Sequence, residues 1–180
     1  MSETYQFDPT HSSLEFSTKH MVVATVRGHF SEFGGQIEVE NDDPTTAKAD
    51  VVIKTASINS GAEDRDKHLR SADFFDVEAF PEMRFVSASV TPAGQGRYIV
   101  RGDLTIKDVT RPVELRAEAS APINDPWGNQ RTAISLQGEI NRKDWGLTWN
   151  MALEAGGWLV DEKIKLNLDV VALRKVAAAV

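Results

Sequence analysis

The stretch EKIKLNLDVVAL (162–173) alternates apolar and polar side chains with a period of two. The apolar side chains occupy every second position, at Ile164, Leu166, Leu168 and Val170. Because successive side chains of a β-strand point to opposite faces, this pattern predicts a strand with one apolar and one wet face. Strands of this kind are typical of an antiparallel barrel or sandwich.

The same alternation recurs along the chain and predicts further strands. It is clear in PVELRAEASA (112–121), where one face carries Val113, Leu115, Ala117 and Ala119. Less regular strands are predicted at 13–19, 25–30, 35–40, 49–58, 82–91, 96–107 and 131–140. Residues that favour turns separate them, at 41–44, 92–96, 107–112 and 124–129. About eight strands are therefore expected, the number at which a closed barrel can hold one small ligand. The predicted fold class is all-β, an eight-stranded antiparallel barrel.

Two segments lack this alternation. The segment SGAEDRDKHLRSADFFDVEAFP (60–81) begins with good helix formers and acidic residues, which predicts a short helix followed by an aromatic loop. The segment NRKDWGLTWNMALEAGGWLVD (141–161) carries three of the four tryptophans. Loops of this length are uncommon and usually functional, so this Trp-rich loop is expected to cover an apolar barrel mouth. The tail VAAAV (176–180) is expected to fray.

Length and composition narrow the classes of function. A chain of 180 residues suits a single domain, and the net charge of −7 argues against nucleic-acid binding. There is no cysteine, which excludes disulfides and zinc–cysteine sites. No stretch of apolar residues is long enough to span a membrane, and the N-terminus lacks the features of a signal peptide. A cytoplasmic location is therefore expected.

Three groups of polar residues could carry chemistry. In DPTHSS (8–13), a nucleophilic triad is conceivable, but Asp and Ser before a strand usually cap turns, and we favour capping. The recurring histidines His11, His20 and His29 fall on different predicted elements, so no metal site is expected. In EDRDKHLRS (63–71), the basic residues could bind a polar head group, although local ion pairs on a solvated helix are favoured.

The predicted inward face mixes small and large side chains. Gly102, Ala117 and Ala119 stand beside Phe30 and Leu104, and small inward residues would leave room for a pocket. The aromatic residues of the two irregular segments fit a solid core and a cavity wall equally well. This set comprises Phe74, Phe75, Phe80, Phe85, Trp145, Trp149 and Trp158.

Four motifs taken together resemble the YceI-like, polyisoprenoid-binding family over about residues 5–172. They are DPTHSSLEFSTKHMVVATVRGHFSEFGG (8–35), RDKHLRSADFFDVEAFPEMRFVS (65–87), GDLTIKDVTRPVEL (102–115) and NRKDWGLTWNMALEAGGWLVDEKIKLNLDV (141–170). The resemblance implies a lipocalin-like barrel with an elongated pocket for a polyprenyl pyrophosphate or an isoprenoid quinone. It also implies a homodimer, no cofactor besides the bound lipid, and no catalytic residues. Many family members are exported, whereas no leader is recognised in this sequence.

An isoprenoid chain needs few polar contacts, because each buried CH₂ contributes about 0.8 kcal/mol. The residues predicted to line the pocket are Phe16, Val26, Phe30, Phe74, Phe75, Leu104, Leu115, Leu136, Trp145, Trp149, Leu166 and Leu168. Those predicted to contact the head group are Arg65 and His68, which fall in the family-like RDKHL stretch. Two alternatives stay open: an enzyme acting on a lipid or isoprenoid with His11, His20 or His68 as base, and a solid barrel that acts only through its surface.

Overall fold

The computed structural model describes residues 1–175, so the expectation about the tail lies outside the described residues. One α-helix, α1 (Glu63–Arg70), and two 3₁₀ turns, Thr55–Ser57 and Arg142–Trp145, interrupt the strands. The strands are β1 (Ser2–Phe7), β2 (Ser13–His20), β3 (Ala24–Phe30), β4 (Phe33–Glu40), β5 (Asp43–Lys54), β6 (Ile58–Asn59), β7 (Glu82–Pro92), β8 (Arg97–Ile106), β9 (Val109–Ala119), β10 (Ile123–Asn124), β11 (Asn129–Asn141) and β12 (Lys163–Lys175).

Eight of these strands form a closed antiparallel ring, in the order β1, β4, β5, β7, β8, β9, β11 and β12. The ring closes because β12 pairs with both β11 and β1. The contact between β11 and β12 runs from Asn129 opposite Lys175 to Asn141 opposite Lys163. The predicted all-β, eight-stranded antiparallel barrel is therefore confirmed.

The strand β1 was not predicted, and it forms the first half of one long bent strand. β1 pairs with β12 near Leu173, whereas β2 pairs with β12 between Lys165 and Asp169. At the bend, the N–H of Asp8 donates to the carbonyl of Val171 at 2.8 Å. The Oδ1 of Asp8 also accepts the N–H of Thr10 at 3.1 Å, so the interpretation of this stretch as turn capping is confirmed.

Two predicted turns are shorter than expected. The turn predicted at 41–44 contains only Asn41 and Asp42, and the turn predicted at 107–112 contains only Lys107 and Asp108. All four residues have positive φ angles, between 51° and 60°, which is the geometry of tight two-residue hairpins. Pro112 consequently lies inside β9. It is tolerated there because β11 pairs with β9 only from Arg116 onward, which leaves the backbone at Pro112 without a partner on that side.

The connections of an antiparallel barrel alternate between its two ends. The closed end carries the loop 21–23, the segment 60–81, the turn 107–108 and the loop 142–162. The predicted helix and the Trp-rich loop both lie at this end. Under them packs the main cluster of buried side chains, which comprises Phe30, Ile58, Phe74, Met83, Ile106, Val113, Trp145 and Leu147.

The opposite end carries the start of β1, the turn 41–42, the segments 93–96 and 120–128, and the end of β12. We call it the open end, because residues there border the barrel interior and are also exposed to solvent. They include Pro44, Gln95, Ser120 and Pro122. Within residues 1–175, no helix is long and apolar enough to cross a membrane.

Candidate ligand-binding cavity

A cavity of about 1000 Å³ runs through the barrel interior from the closed end to the open end. This volume is at the upper end of the range usual for small-molecule sites. Its wall consists mainly of inward-facing apolar side chains contributed by strands all around the ring. Trp145 borders it at the closed end and Gln130 at the open end.

The inward leucines show that the barrel is not solid. Leu136, Leu166 and Leu168 alternate with outward polar residues on β11 and β12, which both have partners on each side. Their side chains nevertheless remain partly exposed, because they border the cavity. The main cluster of buried side chains lies at the closed end, where Trp145 is only 2% exposed. The interpretation of a solid barrel is therefore wrong.

Gly102 was expected to leave room for a pocket in the barrel interior, but it does not. A Cβ atom at this position would lie 2.5 Å from Cζ of Phe85 and 2.5 Å from the carbonyl oxygen of Val86. The Phe85 ring on the neighbouring strand therefore fills the space that the missing side chain leaves. Ala117 and Ala119, the other small residues singled out from the sequence, do line the cavity.

Most of the predicted pocket residues lie on the cavity wall, although their contact with a ligand remains a prediction. The residues that line it are Phe16, Phe30, Phe74, Phe75, Leu104, Leu115, Leu136, Trp145, Leu166 and Leu168. Val26 and Trp149 lie outside this lining. Val26 is half-buried opposite Thr18 in the hairpin of β2 and β3. Trp149 packs outside the wall, with its ring centroid 4.5 Å from His68 and 5.5 Å from Phe74.

The two predicted head-group residues also lie outside the lining. The guanidinium of Arg65 donates from Nε to the Ser60 hydroxyl at 2.8 Å and from Nη2 to the Ser60 carbonyl at 2.6 Å. The buried Asp66 accepts the Ser60 N–H at 2.8 Å. Nε2 of His68 lies 2.9 Å from Oδ2 of Asp73. These contacts tie α1 to the chain before and after it.

Arg142 organises the Trp-rich loop and was not predicted. It is 3% exposed, and its guanidinium donates to the carbonyls of Leu147 at 2.6 Å, Trp149 at 2.9 Å, Asp161 at 2.9 Å and Val160 at 3.4 Å. Burial lowers the pKa of Arg142 from its ordinary value. The sequence contained a sign of this role, because Arg142 continues the inward alternation of Leu136 and Ile140 one residue beyond the end of β11.

A polar cluster at the open end was also missed, because β1 was not predicted. The hydroxyl of Tyr5 donates to Oε1 of Gln130 at 3.2 Å, and burial raises the pKa of Tyr5. Nη1 of Arg174 forms an ion pair with Glu3, and its Cζ lies 5.6 Å from the centre of the Tyr5 ring. Oε2 of Glu3 and Nε of Arg174 are buried without a hydrogen-bond partner.

The histidines lie away from this cavity. None of the four belongs to its lining among the described residues. His11 lies at the bend, with Nδ1 2.7 Å from Oδ2 of Asp8. In the part of the chain that the structure describes, no group of three or more histidine or carboxylate side chains is placed to hold a metal ion.

Comparisons with known proteins agree on one family. A family model described as YceI-like domain matches residues 5–172. UPF0312 protein SAS2572 from Staphylococcus aureus strain MSSA476 is 39% identical over 164 residues, which cover 91% of this chain and 93% of that protein.

Two solved structures share the fold. BcnA of Burkholderia cenocepacia superposes with a TM-score of 0.76 at 23% identity and covers 92% of this chain and 98% of its own. A domain of Saccharophagus degradans described as polyisoprenoid binding has a TM-score of 0.67 at 16% identity, with coverage of 96% and 98%. With a family match over almost the whole described chain and this shared barrel, the protein belongs to the YceI-like family.

Proposed function

We propose that the protein binds one long-chain isoprenoid lipid inside the barrel and acts as a carrier or scavenger. The observation that carries this proposal is the apolar cavity of about 1000 Å³ that connects the closed end with the open end. An apolar interior that reaches from one end of the barrel to the other suits a long flexible hydrocarbon better than a compact polar metabolite. The description of the Saccharophagus degradans domain as polyisoprenoid binding supports the same ligand class.

The energetics favour a ligand of this kind. Each CH₂ group that leaves water contributes about 0.8 kcal/mol, so a chain of several isoprene units gains enough to be retained without many polar contacts. The small number of polar side chains on the wall would then orient the ligand. The aromatic side chains Phe74, Phe75 and Trp145 border the closed end of the cavity, where the end of the hydrocarbon chain would lie.

We propose a binding role without catalysis. An isoprenoid-converting enzyme would need a base or a metal next to its substrate, and the candidate bases His11, His20 and His68 lie outside the described cavity lining. The cytoplasmic location and the homodimer remain predictions.

Mass spectrometry of the freshly purified protein tests the proposal. We expect native spectra to show one lipid per chain, and the mass of the bare chain to return after organic extraction. The extracted protein should then take up an added isoprenoid quinone. A protein that is purified without lipid and also fails to take up a long-chain quinone or polyprenyl pyrophosphate would contradict the proposal.

A further inference from the structure

Two segments at the closed end of the barrel, residues 21–23 and 151–158, present large apolar side chains to solvent, and we call them the apolar tip. The first is the turn between β2 and β3, and the second belongs to the Trp-rich loop. Single exposed apolar side chains are common on protein surfaces, so what matters is whether these lie together. The exposed large apolar side chains of the apolar tip are Met21, Val22, Val23, Met151 and Trp158, with exposed fractions between 51% and 81%.

Backbone contacts join the two segments. The N–H of Met21 donates to the carbonyl of Leu159 at 2.8 Å, and the N–H of Leu159 donates to the carbonyl of Met151 at 2.9 Å. Cγ2 of Val22 lies 3.2 Å from the position that a Cβ atom would take at Gly157. The exposed side chains therefore form one contiguous apolar surface, which marks a site of contact with another protein or with a membrane.

The turn between β2 and β3 holds Val22 outward in an unfavourable backbone conformation. Its φ angle is 70°, in the left-handed region that β-branched residues rarely adopt. Glycine, asparagine or aspartate would adopt this angle with less strain. The turn therefore keeps an exposed apolar side chain where a polar one would stabilise the fold, which points to a role outside folding.

The apolar tip is small and protrudes from the barrel. A stable interface between two proteins uses roughly 20–30 residues on each side, far more than the ends of two loops supply. Val23 is 81% exposed, so no other part of the described chain shapes a concave surface around it. A protruding apolar group that includes a tryptophan instead suits a bilayer, where apolar side chains insert below the head groups and tryptophan is enriched at the interface.

The apolar tip is also continuous with the wall of the cavity. Val160 lines the cavity and is separated from Trp158 by a single residue. Thr18, three residues before Met21, lines it as well. An antiparallel bridge joins His20 to Val160. A membrane that contacts the apolar tip would therefore lie next to the closed end of the cavity, where we propose that the end of the hydrocarbon chain lies.

We infer that the apolar tip inserts into the surface of a bilayer of neutral phospholipids and docks the closed end of the barrel on the membrane with which the ligand is exchanged. This inference rests on the proposed function, because a long isoprenoid partitions into a bilayer rather than into water. The attraction is apolar, since the net charge of −7 gives no attraction to anionic lipids. Glu154 is the only charged residue of the apolar tip.

A vesicle-binding experiment on the full chain tests this inference. Vesicles of phosphatidylcholine are sedimented with the protein, and the bound fraction gives the partition coefficient. Val22→Asp and Trp158→Asp should each lower it about tenfold or more, since one large apolar side chain that leaves water accounts for a factor of that size. Trp127→Asp is the control, because Trp127 is 78% exposed but lies at the open end, and it should leave the partition coefficient unchanged.

Two further measurements separate docking from packing. Aspartate adopts a positive φ with less strain than valine, so Val22→Asp should unfold in solution at the same temperature as the unmodified protein or at a higher one. Bromine-labelled acyl chains should quench the fluorescence of Trp158 when vesicles are bound. Trp158→Phe should remove most of this quenching and still bind the vesicles.

Failure of the unmodified protein to bind phosphatidylcholine vesicles, or binding that requires an anionic lipid, would overturn this inference. A loss of binding in Trp127→Asp, with full binding in Val22→Asp and Trp158→Asp, would place the docking surface at the open end instead. A dimer in solution that Val22→Asp converts to a monomer would assign the apolar tip to a second copy of the chain.

Lipid loading, measured separately by native mass spectrometry, keeps this inference distinct from the proposed function. Lipid-loaded protein that does not bind vesicles would overturn this inference alone. Vesicle binding by a chain that takes up no isoprenoid would refute the proposed function and leave the docking surface standing.

Discussion

Nη1 of the Arg142 guanidinium donates to the carbonyl of Leu147, five residues further along the chain, at 2.6 Å. Because the same side chain also reaches the carbonyls of Trp149, Val160 and Asp161, both arms of the Trp-rich loop are anchored to one buried cation. The closed end of the barrel therefore depends on a single polar side chain within an apolar layer.

Replacing Arg142 should destabilise the closed end of the barrel. Arg142→Met leaves the backbone carbonyls without donors, and we expect a loss of about 2–4 kcal/mol in the free energy of unfolding. Urea denaturation measures it. Arg116→Met, on the exposed face of β9, is the matched control and should change stability by less than about 0.5 kcal/mol. Equal losses in the two variants would show that the anchor has no special role.

Filling the middle of the cavity should remove lipid without unfolding the barrel. Leu168 lies on the cavity wall, opposite Leu136 on one side and Leu14 on the other. Leu168→Trp places a larger side chain into empty space, so we expect the delipidated variant to unfold within about 1.5 kcal/mol of the unmodified protein. Its lipid content, measured by extraction, should fall to a small fraction of one per chain.

The adjacent outward residue provides the control for this prediction. Asn167→Trp adds the same side chain to the outer face of β12 and should leave the lipid content unchanged. If Leu168→Trp retained a full complement of lipid, the ligand would have to lie elsewhere.

The close contact between Gly102 and Phe85 predicts that a single methyl group added at Gly102 will destabilise the protein. The Cβ of Gly102→Ala would lie 2.5 Å from the Val86 carbonyl, which is backbone and cannot rotate away, so we expect a loss of about 1–3 kcal/mol in stability. Gly34→Ala is the control, because a Cβ at Gly34 meets nothing within 4 Å. Thermal unfolding that affects both variants alike would contradict the packing described for Gly102.

The hydrogen bonds at the bend between β1 and β2 predict that the stability of the fold depends on pH. Hydrogen bonds from Thr10, His11 and Arg131 hold the pKa of Asp8 well below its ordinary value. Burial alone would raise the pKa of Asp125, but hydrogen bonds from the Asn129 N–H and from Arg131 lower it to about 2. Because both folded-state values lie below the unfolded value of about 3.9, the stability they contribute is complete above pH about 4 and is lost as the pH falls toward about 2.

Arg131→Met should reduce this dependence. Without the guanidinium, the pKa of both carboxyl groups moves toward its ordinary value, so the fall in Tm between pH 4 and pH 2 becomes smaller and Tm at neutral pH drops by a few degrees. Arg101→Met removes an exposed ion pair with Glu114 and should leave the pH dependence unchanged. Identical pH profiles for Arg131→Met and the unmodified protein would refute the role of this network.

The strands that were predicted well are those with a run of apolar inward residues, from Val113 to Ala119 in β9 and from Ile164 to Val170 in β12. β1 was missed because its inward positions hold Glu3 and Tyr5 as well as Phe7, which weakens the apolar alternation. The head-group prediction at Arg65 and His68 followed from their place in the family-like RDKHL stretch. The hydrogen bonds of those side chains to Ser60 and Asp73 could not be read from spacing.

The sequence by itself determined the antiparallel barrel and the two irregular segments that cover one end, because alternation with a period of two is a local property of each strand. Only the tertiary structure decided where the interior stays empty and where its polar atoms meet. A small inward residue leaves space only if no neighbour fills it, and Phe85 fills the space at Gly102 whereas the wall at Ala117 remains open. Likewise, Glu3 and Arg174 meet only because barrel closure brings the first and last strands together.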